Sequence, residues 1–254
     1  MEWILLFGAG VLGGILNSIA GGGSFITFPA LMFVGVPPVI ANATNTFAAC
    51  AGYLSGTYGF RQDIASSHGS LTPVITLSFI GGGLGAYLLL SVSENQFLIA
   101  IPWLLLFATL LFLFGNQINK LTSRLAKSTS LHPFWALGSV SLLLVVVSAY
   151  GGFFNAGLGV VVLSYLVLAG YTDINQMNGL KLLISSSVSI IAIVVFIAEG
   201  SIDWLRGGAV MLGTLSGGYV AARISRQVEQ HYVKGFVALS SVAMTFYFFY
   251  DVYL

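Results

Sequence analysis

Eight polar side chains embedded in otherwise apolar sequence are the candidates for chemistry. They are Asn17, Ser24, Asn42, Thr44 and Asn45 in the first half, and Asn155, Asn178 and Lys181 in the second. Amides, hydroxyls and a single ammonium can together replace the water shell of a small anion. A cation would instead want carboxylates or clustered carbonyls. The run Gly21-Gly22-Gly23 precedes Ser24 and a fresh helix start, and Gly157 and Gly159 stand at the corresponding place later in the chain. A helix that begins inside the bilayer points unpaired N–H groups and the positive end of its dipole inward, which forms an anion cradle. An asparagine in an apolar helix often does no more than hydrogen-bond to a neighbouring helix. The recurrence of Asn17 as Asn155, and of Asn42 as Asn178, near these breaks favours a site. Lys181 is the one charged residue within an apolar segment, one turn from its start. Two readings stay open for it: contact with an anion, or snorkelling to the nearer interface.

Other chemistries lack their groups. All eight acidic residues, including Asp63, Asp173, Glu199 and Asp203, fall at or near segment ends or in loops, so no carboxylate stands where a proton relay needs one. His68, His132 and His231 also fall in loops, which leaves neither a metal cluster nor a histidine-based nucleophile system; no metal, cofactor or enzymatic role is expected. Cys50 is the single cysteine, in an apolar stretch, and reads as a small buried hydrophobe. A net charge of +1 offers no field for nucleic acid.

The elements that position these residues must be membrane helices. The chain is 57% hydrophobic and only 7% charged, with a mean hydropathy of +0.96; a soluble domain carries about 25% charged residues. Polar punctuation divides it into ten apolar segments, at 3–19, 24–36, 40–58, 70–90 and 97–115, then 134–154, 157–171, 177–198, 205–222 and 233–252. The expected fold is all-α and polytopic, with about 8–10 transmembrane or half-spanning helices. Segments 24–36 and 157–171 are too short for a straight crossing and read as half-helices or as arms of hairpins that meet inside the bilayer. Gly81…Gly85 and Gly213…Gly218 read as close-packing surfaces between helices.

The matching breaks, asparagines and glycine runs keep the same order in both halves, which indicates an internal duplication. Lys120, Arg124 and Lys127, and likewise Arg223, Arg226 and Lys234, mark cytoplasmic loops, while the loops around Glu94 and from Glu199 to Asp203 face outward. With five segments per copy, the second repeat is then inverted. The reading is a first repeat at 1–115, a cytoplasmic linker at 116–133 and a second repeat at 134–254.

The run Asn17-Ser18-Ile19-Ala20-Gly21-Gly22-Gly23-Ser24, followed by Phe28-Pro29-Ala30-Leu31, Gly35-Val36-Pro37 and Ala41-Asn42-Ala43-Thr44-Asn45, resembles the TauE/SafE sulfite-exporter family of membrane transporters. Tyr58-Gly59-Phe60-Arg61 and Asn178-Gly179-Leu180-Lys181 fit the same pattern. The resemblance covers essentially the whole chain. It implies transport of sulfite, sulfonates or related sulfur oxyanions, with the glycine loops and the Asn/Thr/Lys cluster lining the path. The chain departs from the family pattern at its second break, where Gly157-Leu158-Gly159 replaces a richer glycine run.

The expectation is therefore a multi-pass protein of a prokaryotic plasma membrane, with lipid and a small anion as partners, working by alternating access. The alternative is an anion channel with a continuous pore. Oligomeric state, direction and coupling are not set by the sequence, and a homo-oligomer is left open.

Overall fold

The computed structural model describes residues 1–19, 21–66, 71–128, 133–224 and 230–254. Arg226, His68 and His132 lie outside the described residues, as do the side chains of Lys120, Arg124, Lys127, Arg223, His231 and Lys234.

Among the described residues the chain is helical throughout and has no strand. Its helices are α1 (Glu2–Ile19), α2 (Ser24–Phe33), α3 (Pro38–Gly59), α4 (Arg61–Ala65), α5 (Leu71–Ser91), α6 (Glu94–Ser128), α7 (Pro133–Phe153), α8 (Leu158–Leu168), α9 (Ile174–Ala198), α10 (Trp204–Ile224) and α11 (Gln230–Tyr253). These are the ten expected segments with the short α4 added. Helix α6 runs past its apolar stretch to Ser128, so most of 116–133 is helix. The spans Leu71–Ser91, Glu94–Gly115, Ile174–Ala198 and Gly235–Tyr253 are long and apolar enough to cross a membrane, judged by length and composition.

Helices α2 and α8, with 10 and 11 residues, rise only about 15–17 Å. Each folds back on the helix before it, making the hairpins α1–α2 and α7–α8. The far end of α2 is closed by Gly35 at φ +82°, which lets Val36 N–H return to the Leu31 carbonyl at 3.1 Å and satisfies an orphan acceptor.

Two seams of small residues bind the halves together. Helix α1 lies along α10, and α5 lies along α7. A Cβ at Gly10 would stand 2.4 Å from the Val210 carbonyl oxygen, and one at Gly14 2.3 Å from that of Thr214. Across the other seam, a Cβ at Gly85 would meet the Ala149 oxygen at 2.0 Å, and one at Gly152 the Gly82 oxygen at 2.1 Å. Only glycine permits such backbone contact, and in a bilayer this dispersion contact stands in for the missing hydrophobic drive between helices. The expected packing role of both glycine runs is met. Between the seams, α3 packs against α9 at the centre; α3 also touches α10, and α9 also touches α5.

Aromatic rings brace the second hairpin. Phe154, in the link between α7 and α8, meets Phe28 of α2 edge-on at 5.6 Å and Phe97 of α6 at 6.2 Å. All three are fully buried. Phe248 of α11 stacks on Phe28 at 6.2 Å, so three helices gather rings around this link.

Candidate functional site

The first break has a defined backbone. Gly21 takes φ +79°, and its N–H donates to the Leu16 carbonyl at 3.0 Å, which closes α1 at Ile19, ahead of α2 at Ser24. A side chain at this φ would be strained. The second break turns at Gly157, φ +78°, where a Cβ would also strike the Ala108 methyl at 2.6 Å. Gly21–Ser24 and Asn155–Gly159 are all buried, as irregular backbone inside a membrane must be.

The two tips touch. A Cβ built on Gly159 would lie 3.5 Å from the Gly21 carbonyl oxygen and 3.5 Å from Lys181 Cδ, and one on Gly21 would lie 3.9 Å from Lys181 Nζ. The lysine therefore lies between Gly21, in the link from α1 to α2, and Gly159, in the first turn of α8. Lys181 is only 5% exposed and donates to Asn178 Oδ1 at 3.1 Å. Among the described residues no ion pair reaches it. Snorkelling is not what this side chain does. Helix α9 begins three residues earlier than expected because the Asp173 carboxylate accepts from Gln176 N–H at 2.8 Å, which places Lys181 two turns in, beneath the tips.

Along α9, residues Asn178, Lys181, Ser185 and Ser189 follow one another at spacings of three and four, and so share one face. Ser185 Oγ is buried with no hydrogen-bond partner. On α3 the same register carries Asn42, Thr46 and Tyr53. Asn155 joins the two helices: its Oδ1 accepts from Tyr53 Oη at 2.8 Å, and its Nδ2 stands 3.5 Å from Thr46 Oγ1 and 3.4 Å from Ser189 Oγ. The Tyr53 hydroxyl is also within reach of the Ser24 and Asn17 side chains. Asn17, Ser24, Thr27 and Thr214 line a small cavity between α1, α2, α3 and α10 with room for about one water molecule.

The remaining candidates have other surroundings. Asn42 Nδ2 donates to the Phe153 carbonyl at 3.0 Å, closing the end of α7, while its Oδ1 has no partner. Asn45 Oδ1 accepts from Thr27 Oγ1 at 2.5 Å, and its Nδ2 is buried and unpartnered. Thr44 Oγ1 accepts from Asp203 N–H at 3.0 Å. That contact ties α3 to the start of α10, away from the tips. Gly22 is set against Val237 of α11 and Gly23 against the Gly13 carbonyl, so of the three adjacent glycines it is Gly21 that adjoins the lysine.

Sequence reasoning passed over Tyr53, Thr46, Ser185 and Ser189. The signal was present: four serines in the five residues Ser185–Ser189 inside an apolar segment, and hydroxyls at Thr46, Tyr53 and Thr57 on one helical face.

The assembled centre is cationic and donor-rich. It holds one ammonium with donors to spare, the N-terminus of α8, amides and hydroxyls, and no carboxylate among the described residues. Such a centre suits a small anion.

A family model described as sulfite exporter TauE/SafE matches residues 6–248. The chain is 29% identical over 250 residues to the probable membrane transporter protein YfcA of Escherichia coli (strain K12), covering 97% of this chain and 89% of that one. It is 29% identical over 248 residues to a probable membrane transporter protein of Haemophilus influenzae, covering 97% and 94%. With the probable membrane transporter protein ORF9 of Sinorhizobium sp it shares 28% over 241 residues. No solved structure matches it. Matches of this extent, with four helices fit to cross a bilayer, make it a multi-pass cell-membrane protein.

Proposed function

Because this chain belongs to the sulfite exporter TauE/SafE family and is a membrane transporter rather than an enzyme, we propose that it moves a small sulfur oxyanion, sulfite or an organosulfonate, across the plasma membrane by alternating access. The observation that carries the reading is Lys181, buried where the two hairpin tips meet, with one amide partner at 3.1 Å and no carboxylate among the described residues. An ammonium has three donors, so two remain for a guest. The N-terminus of α8 adds its dipole, and Ser185, one turn along the Lys181 face of α9, offers an unpartnered hydroxyl to an oxygen of a tetrahedral or pyramidal anion.

The reading takes 1–115 and 134–254 as two inverted repeats joined through 116–133. A two-fold relation exchanging α1 with α7 and α5 with α10 carries the α1–α10 seam onto the α7–α5 seam, and the pairing of these contacts supports it. Contact between Gly21 and Gly159 favours a gated carrier over a standing pore, since the tips close on each other beside the lysine.

The test is equilibrium binding of sulfite and of a sulfonate to purified protein, comparing wild type with Lys181→Gln. Losing one charge-assisted hydrogen bond costs about 1.5–3 kcal/mol, so Kd should rise by roughly 10- to 150-fold. Unchanged affinity in a folded variant would return Lys181 to a structural role.

A further inference from the structure

We propose that this protein is an obligate anion exchanger: after releasing one anion, the site must take up a second small anion from the opposite side before it can swing back. The inference rests on the proposed anion site at Lys181 and extends it to the return half of the cycle.

The argument concerns charge balance at that site. Lys181 is 5% exposed, its neighbour Asn178 is neutral, and Gly159 beside it belongs to the first turn of α8, the positive end of that helix. A bound anion neutralises this centre. When the anion leaves, something must take its place, because a lone charge in a low-dielectric interior is costly. A carboxylate closing on the vacated cation could compensate its charge for an empty return. Among the described residues no acid pairs with this lysine. Glu2 and Asp203 are held by Arg206, Glu94 accepts from Val39 N–H at 2.7 Å, and Asp173 caps α9. Asp63, Glu199 and Asp251 sit in or beside helix ends, and Glu229 lies outside the described residues. The unpartnered Ser185 Oγ can solvate a guest, but as a neutral group it cannot replace its charge. Unloaded, the centre can stay cationic only while it is open to water. Reorientation, which closes that opening, therefore needs an anion aboard.

The experiment uses full-length protein in liposomes loaded with radiolabelled sulfite at mildly alkaline pH. Equal potassium on both sides with valinomycin keeps membrane potential from limiting net flux. Efflux is measured into sulfite, chloride or gluconate, the last too large to serve as a small-anion partner. Exchange predicts efflux roughly tenfold or more faster into sulfite than into gluconate, with chloride showing whether the return anion must be a sulfur oxyanion. Lys181→Gln should lose this trans-acceleration, leaving slow efflux that ignores the outside anion, and Lys181→Arg should keep part of it. Equal rates of wild-type efflux into sulfite and gluconate would overturn the exchange while leaving anion transport standing. Fast efflux into gluconate with one proton appearing per anion would also overturn it, since the lysine would then be returning neutral. Full trans-acceleration in Lys181→Gln would overturn the assignment to this lysine. Absence of sulfite movement in every arm would overturn the sulfite reading and the exchange together.

Discussion

Gly159→Ala separates site chemistry from fold stability. Gly159 is helical and occupies the first turn of α8, where a methyl would meet the Gly21 carbonyl oxygen and Lys181 Cδ at 3.5 Å each. These are ordinary contacts, so alanine fits without displacing backbone. Alanine for glycine gains roughly 0.5–1 kcal/mol in a helix interior and less in a first turn, so the variant should unfold at the wild-type temperature or slightly above. The same methyl occupies the space between the two tips beside the ammonium. An anion pushed off one charge-assisted hydrogen bond there loses about 1.5–3 kcal/mol, a drop of roughly 10- to 150-fold in affinity. Thermal unfolding in detergent and sulfite binding on the same preparation read the two effects independently. Wild-type affinity and transport in a stably folded Gly159→Ala would show that no anion passes between the tips, and the site would have to be sought elsewhere.

The seams give a contrast in the other direction: Gly85→Ala drives a Cβ to 2.0 Å from the Ala149 oxygen, whereas Gly83→Ala meets only Ile191 Cγ1 at 3.4 Å. Thermal denaturation should show a loss of about 1–3 kcal/mol for the first and near-neutrality for the second; equal effects would deny the α5–α7 seam. Tyr53→Phe removes the donor to Asn155 Oδ1 and should cost about 0.6–2 kcal/mol of stability, with a larger proportional loss of transport. If stability and transport both match wild type, that network holds neither helix nor substrate. Cysteines introduced at Lys120 and Glu94 should react with an impermeant reagent from opposite membrane faces, against a background kept quiet by the burial of Cys50; labelling from one face would refute the inverted arrangement.

Helix positions were legible because a bilayer leaves little choice: apolar length, glycine breaks and loop charges are all written locally. The expected segment 24–36 became Ser24–Phe33 with its Gly35 cap, and 157–171 became Leu158–Leu168. The breaks themselves were legible in Gly21 and Gly157, which both adopt positive φ. Which face of each element turns inward was harder. Nothing local distinguishes Gly21, which adjoins Lys181, from Gly22 and Gly23, which pack on Val237 and Gly13. Thr44 resembles Asn42 and Asn45 in sequence, yet its partner Asp203 lies 159 positions away. Serines pass unnoticed in an apolar helix because they can bond back to their own backbone, as Ser187 does to the Leu183 carbonyl at 2.9 Å. Ser185 makes no such bond, and only the assembled structure reveals it.

The seams also set a timetable for biogenesis. Gly10 of α1 rests against Gly213 of α10, 213 − 10 = 203 positions later in the chain, and at 5–20 residues per second the ribosome takes about 10–40 s to make that interval. Helix α1 therefore waits through the making of that whole interval with its glycine face unpartnered, while α5 finds α7 much sooner. Variants that weaken the α1–α10 seam should accumulate as nascent chains open to membrane proteases and quality control, even where the finished protein, once assembled, is durable.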